Sequence, residues 1–138
     1  MTLNPDQITL IRATFVDLMD DFNPWQTRFY ETFFKLAPHV KPLFRDDIAG
    51  QEMRFLTTLK VIVDNLDEPD ALKPRYAELG RVHAIVGVKR KDFDPMCEAL
   101  IETIRETLGE RFTPKIEAAW RQGYKHVADQ VMKGGGLK

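Results

Sequence analysis

Apolar residues recur at helical spacing along nearly the whole chain, and no stretch alternates apolar and polar as a half-buried strand does. That restricts the fold to helix packed on helix. Asn4, Pro5 and Gln7 form a start signal with a capping box, and Ile8, Ile11, Phe15 and Leu18 share the face that follows. Asn23-Pro24 is expected to redirect the chain into a second helix over 25–36, with Phe29, Tyr30, Phe33 and Phe34 inward. Ala37-Pro38 opens a short third helix ending at Phe44, and 45–50 reads as a polar connector. Gln51, Phe55, Leu59, Ile62 and Leu66 then lie on one face of a long helix.

Residues 67–74 read as a loop, and a helix near 75–84 aligns Tyr76, Leu79 and His83 until Gly87 interrupts. Asp92 or Asp94 is expected to cap the next helix, which carries Cys97, Leu100 or Ile101, Ile104 and Leu108 and stops at Gly109. Thr113-Pro114 starts the last helix, with Ile116, Trp120, Gly123, Val127 and Val131 in its stripe. The glycines at 134–136 suggest that 134–138 is a frayed tail. About seven or eight unequal helices suit an irregular all-α domain better than a four-helix up-down bundle.

The 138 residues fit one domain, 1–138, long enough for a core and a ligand pocket. A net charge of −1 argues against both a nucleic-acid footprint and a polybasic membrane anchor. The single cysteine, Cys97, leaves no intrachain disulfide or Cys-rich zinc site and reads as a core residue. The N-terminal stretch is too polar for a signal peptide, and no run nears the roughly 18 apolar residues of a membrane span. A soluble, cytoplasmic protein is the expectation.

Three groups of residues could carry chemistry. His83 sits on an apolar helix face, where a histidine is more often a satisfied core residue, yet where imidazole could also ligate a haem iron. A ligating ring must donate a hydrogen bond from its other nitrogen, and the Leu79 carbonyl lies one helical turn back. Tyr30 stands out in its aromatic cluster because a buried phenol needs a partner. Gln51 is polar on an inward stripe beside Phe55, and the fork of Arg54 alongside could pair a carboxylate at a pocket rim. His39, His83 and His126 lack metalloenzyme spacing, and no catalytic triad, phosphate-cradling loop or dinucleotide fingerprint occurs.

Four segments together resemble the globins, most closely bacterial single-domain globins and the globin part of flavohaemoglobins: FYETFFKLAPHVKPLF at 29–44, QEMRFLTTL at 51–59, LGRVHAIVGV at 79–88 and FTPKIEAAWRQGY at 112–124. The resemblance implies a globin fold around haem b, with His83 as iron ligand and Phe44 packed flat against the macrocycle. It also implies Tyr30 and Gln51 as the pair that holds bound oxygen, Phe55 on the distal wall, Arg54 near a propionate and Val88 on the proximal edge. Phe93 falls where flavohaemoglobins place a tyrosine that braces the proximal histidine, and the matching glutamate's place falls near Gly135, so that relay is not expected here. The 45–50 connector is shorter than the family's.

The function so implied is reversible binding of oxygen, and of nitric oxide, with nitric oxide dioxygenation if an external reductase supplies electrons. The sequence reads as the globin part alone, with no attached reductase domain expected. No nucleic-acid or membrane partner is expected, and monomer and homodimer stay open. Two alternatives remain: a six-coordinate haem sensor or electron-transfer globin, and a haem-free interaction module.

Overall fold

A computed structural model of the chain describes residues 3–20, 25–44 and 48–137. Among them run six α-helices: α1 (Pro5–Asp20), α2 (Trp25–Leu36), α3 (Ile48–Asp64), α4 (Pro69–Val86), α5 (Phe93–Leu108) and α6 (Pro114–Gly135). Three 3₁₀ segments, Pro38–Phe44, Arg90–Asp92 and Gly109–Arg111, link them. The all-α expectation holds, with Pro38–Phe44 as the expected short third helix. The Asn23-Pro24 break lies outside the described residues.

Local chemistry sets most boundaries. Asn4 Oδ1 accepts from the Gln7 N–H at 2.8 Å while Gln7 Oε1 accepts from the Asn4 N–H at 3.1 Å, the reciprocal box that the sequence announces. Thr113 Oγ1 accepts from the Ile116 N–H at 3.2 Å at the start of α6. Gly87, at φ 96°, adopts the left-handed conformation that closes α4.

Three expectations are corrected. The stretch 67–74 is mostly helix, because α4 begins at Pro69, where a missing N–H costs nothing. Pro74 lies inside it at a cost of about 3 kcal/mol. Burial of Leu72 and Tyr76 offsets that, at roughly 1.5–3 kcal/mol each. The end of the expected connector, 48–50, already belongs to α3. The glycines at 134–136 do not fray: α6 runs to Gly135, Gly136 caps it in the left-handed region, and Leu137 is buried.

The main core joins α1, α2, α5 and α6 around Leu18, Phe29, Ile101 and Ile104. The indole N–H of Trp120 donates to Thr14 Oγ1 at 2.7 Å and ties α6 to α1 inside it. A second cluster, with Ile62, Tyr76, Phe93 and Val131, joins α3, α4, the start of α5 and α6. The α4–α6 contact there is backbone on backbone. A Cβ on Gly80 would fall onto the Val131 carbonyl and the Gly135 nitrogen, and one on Gly134 would stand 2.8 Å from the Ala77 Cα.

Gly80→Ala therefore has no soft side chain to displace and must force the two helices apart. We expect it to lower stability by about 3 kcal/mol in denaturant unfolding. A loss under about 0.5 kcal/mol would mean that the close approach is not structurally required.

Candidate functional site

A largely apolar cavity of about 300 Å³ opens between α3 and α4, with α5 and α6 closing its inner end. Gln51, Arg54 and Phe55 line it from α3, His83 and Leu79 from α4, and Leu100 and Val127 from behind. A smaller cavity of about 40 Å³ adjoins it, bounded by Phe44, Val88 and the buried carboxylate of Asp92. Phe93 and Met96 border both, so the two form neighbouring compartments of one site.

His83 Nδ1 stands 2.6 Å from the Leu79 carbonyl oxygen. A carbonyl only accepts, so Nδ1 carries a proton, and in the neutral ring Nε2 is the nitrogen that holds the lone pair. The ring is half-buried and lies 5.8 Å from that of Phe93, tilted by 33°. Gly87 turns the chain four residues on, with the Val88 N–H bonded to the His83 carbonyl at 3.0 Å, and this returns Val88 to the site.

The α3 wall carries the polar residues. Gln51 Oε1 accepts from Arg54 Nε at 3.2 Å and from Arg54 Nη2 at 3.1 Å. Behind it, burial raises the pKa of the Tyr30 hydroxyl far above that of an ordinary phenol, against the lowering effect of a hydrogen bond with the Gln51 side chain. The Tyr30 ring is edge-on to Phe44 at 5.5 Å and to Phe55 at 5.8 Å, and Phe55 stacks on Phe29 at 4.7 Å.

Gln51, Arg54, Phe55, His83 and Phe93 thus meet at the larger cavity, as the sequence implies. Phe44 and Val88 line the smaller compartment instead. Tyr30 borders neither and meets the wall of the larger one from behind, at Gln51 and Phe55. Arg54 is hydrogen-bonded to Gln51, a contact that the sequence reading did not foresee. Neither did it foresee Met96 or Tyr124, whose hydroxyl donates to the Phe93 carbonyl at 2.7 Å and anchors the start of α5. The i, i+3 spacing of Gln51 and Arg54 could have signalled the first contact; nothing local signals the last.

The family described as Globin matches residues 27–131. A flavohemoprotein from Rhizobium meliloti is 27% identical over 104 residues, spanning 73% of this chain and 26% of its own length. One from Bordetella parapertussis is 26% identical over 133 residues, spanning 94% of this chain and 33% of its own length. The chain therefore spans only a quarter to a third of the length of these relatives. Among solved structures, an engineered carbene transferase from Rhodothermus marinus, described as a candidate nitric oxide dioxygenase, superposes with a TM-score of 0.88 at 23% identity over 98% of this chain and 94% of its own. A hexacoordinated heme protein from an anhydrobiotic tardigrade gives 0.82 at 17% identity, covering 97% and 96%. A bacterial globin from Campylobacter jejuni gives 0.83 at 19% identity, covering 96% of both chains.

Asp92, at the wall of the smaller compartment, does not cap α5 with its side chain as expected. Its Oδ2 accepts from the Lys89 N–H at 2.9 Å and its Oδ1 lies 2.6 Å from His39 Nε2. Burial raises its pKa, and the bonds to His39 and Lys89 outweigh this, leaving it below the usual aspartate value. A carboxyl depressed in the folded state stabilises it above the unfolded-state pKa of about 3.9, and this is lost as pH falls through the folded value. Asp92→Asn should therefore be less stable than the parent at pH 6, with the gap closing below about pH 4 in acid unfolding curves. A gap that stays constant down to pH 2 would contradict this.

Proposed function

Because the chain belongs to the globin family, we propose that the two compartments form a pocket for haem b and that the protein binds oxygen and nitric oxide reversibly there. The observation that carries the reading is the fixed tautomer of His83 on the cavity wall. The donor set fits the group: one imidazole whose Nδ1 is held by a carbonyl, mainly aromatic and aliphatic walls, and Gln51 and Arg54 on the α3 side. The flavohemoprotein relatives and the heme-protein neighbour support it.

Haem, when held, supplies an iron that takes a diatomic gas. Leu79 holds the imidazole in the form that offers Nε2, and the hydrogen bond at Nδ1 makes that nitrogen more basic. Phe93, Met96 and Leu100 exclude water from the inner cavity. Gln51 on the cavity wall and Tyr30 behind it supply N–H and O–H donors for a ligand that gathers negative charge, each worth about 1.5–3 kcal/mol as bonds to charged groups are. Nitric oxide dioxygenation extends the proposal: nitric oxide, oxygen and one electron combine to nitrate, with a separate reductase as electron source. The description of the Rhodothermus marinus neighbour supports that reading.

Titration with haem should give one bound equivalent and a five-coordinate ferrous absorption spectrum. A protein that stays colourless would overturn the proposal, and a six-coordinate ferrous spectrum would replace open-site gas binding with an internal sixth ligand. Tyr30→Phe should raise the oxygen dissociation rate roughly tenfold or more in stopped-flow measurements. An unchanged rate would remove Tyr30 from ligand stabilisation.

A further inference from the structure

We propose that Arg54 is a positioning residue that fixes the orientation of the Gln51 amide, so that Gln51 presents its N–H₂ and not its carbonyl to Tyr30 and the cavity. The inference rests on the reading of the cavity as a haem pocket and gives Arg54 a task within it.

A glutamine amide has two ends of nearly equal size and opposite chemistry: an oxygen that accepts and an N–H₂ that donates. Which end faces the cavity decides whether a ligand gathering negative charge meets attraction or repulsion. Rotation about the last side-chain torsion exchanges the two, and that torsion is broad and weakly restrained. Something outside the residue must set it.

Arg54 does so by its inability to accept. A guanidinium offers five N–H donors and no acceptor. Two of its nitrogens, Nε and Nη2, converge on Gln51 Oε1 at 3.2 and 3.1 Å. Exchange of the amide ends would set N–H₂ against those donors and replace two charge-assisted hydrogen bonds with repulsion. The pair sits three residues apart on α3, so one turn of helix keeps them neighbours.

With Oε1 taken, the bond between Gln51 and Tyr30 acquires a direction. The Gln51 nitrogen donates to the Tyr30 oxygen, which frees the phenolic hydrogen for another acceptor. The row Arg54, Gln51, Tyr30 then runs donor to acceptor in one sense, and the polar wall becomes a donor surface. Gln51 alone has no such preference. The role differs from a propionate contact, which would act on haem retention and not through the amide.

The test is a double-mutant cycle on the haem-loaded protein, read by the oxygen dissociation rate. Arg54→Met should speed dissociation roughly threefold to tenfold when Gln51 is present, the value of a lost oriented donor. In a Gln51→Leu background the same substitution should change the rate by less than about 1.5-fold. Equal effects in both backgrounds, or none in either, overturn the proposal. Should the protein take up no haem, the functional reading fails and the orientation is still decided by nuclear Overhauser contacts in the full chain. Gln51 amide protons should then show contacts to the Tyr30 ring that Arg54→Met abolishes; contacts missing from the parent, or unchanged in the variant, overturn it.

Discussion

The hydrogen bond from His83 Nδ1 to the Leu79 carbonyl is the interaction on which the site depends. It lies within one turn of α4, so both of its partners are placed by the same helix. It fixes the tautomer and leaves Nε2 as the one lone pair that the ring can offer. Every functional property proposed for the chain starts from that nitrogen standing on an apolar wall.

Where α4 stands is decided elsewhere. Gly80 meets Gly135 and the Val131 carbonyl with no side chain between, and Gly134 meets Ala77 in the same way. The close seat of α4 on α6 holds one side of the cavity, while α3 supplies the other. Gly87 ends α4 soon after the histidine, and Tyr124 pins the Phe93 carbonyl, so the chain returns to wall both compartments. The tertiary frame sets the space, and the local hydrogen bond sets the chemistry within it.

Much of this is legible in the sequence because it is local. The bounds of α2, the caps at Asn4 and Thr113, and the Leu79–His83 pairing each depend on residues within a turn or so of one another. What escaped depends on distant partners. The N-terminal part of α4 reads as loop because of its two prolines, and only burial of Leu72 and Tyr76 reveals it as helix. The terminal glycines look like a fraying end until Gly80, more than fifty residues earlier, is placed against them. Tyr30 stands one hydrogen bond behind the cavity wall and not on it, because Phe44 and Phe55 pack around its ring. No spacing rule shows that His39 meets the carboxylate of Asp92.

The most direct measurement is chemical rescue at position 83. His83→Gly removes the ring and leaves a hole of its shape; the account predicts that the haem loses its histidine-type absorption and that millimolar free imidazole restores it. A variant whose haem spectrum matches the parent's without imidazole would show that the iron is held elsewhere and would contradict the account.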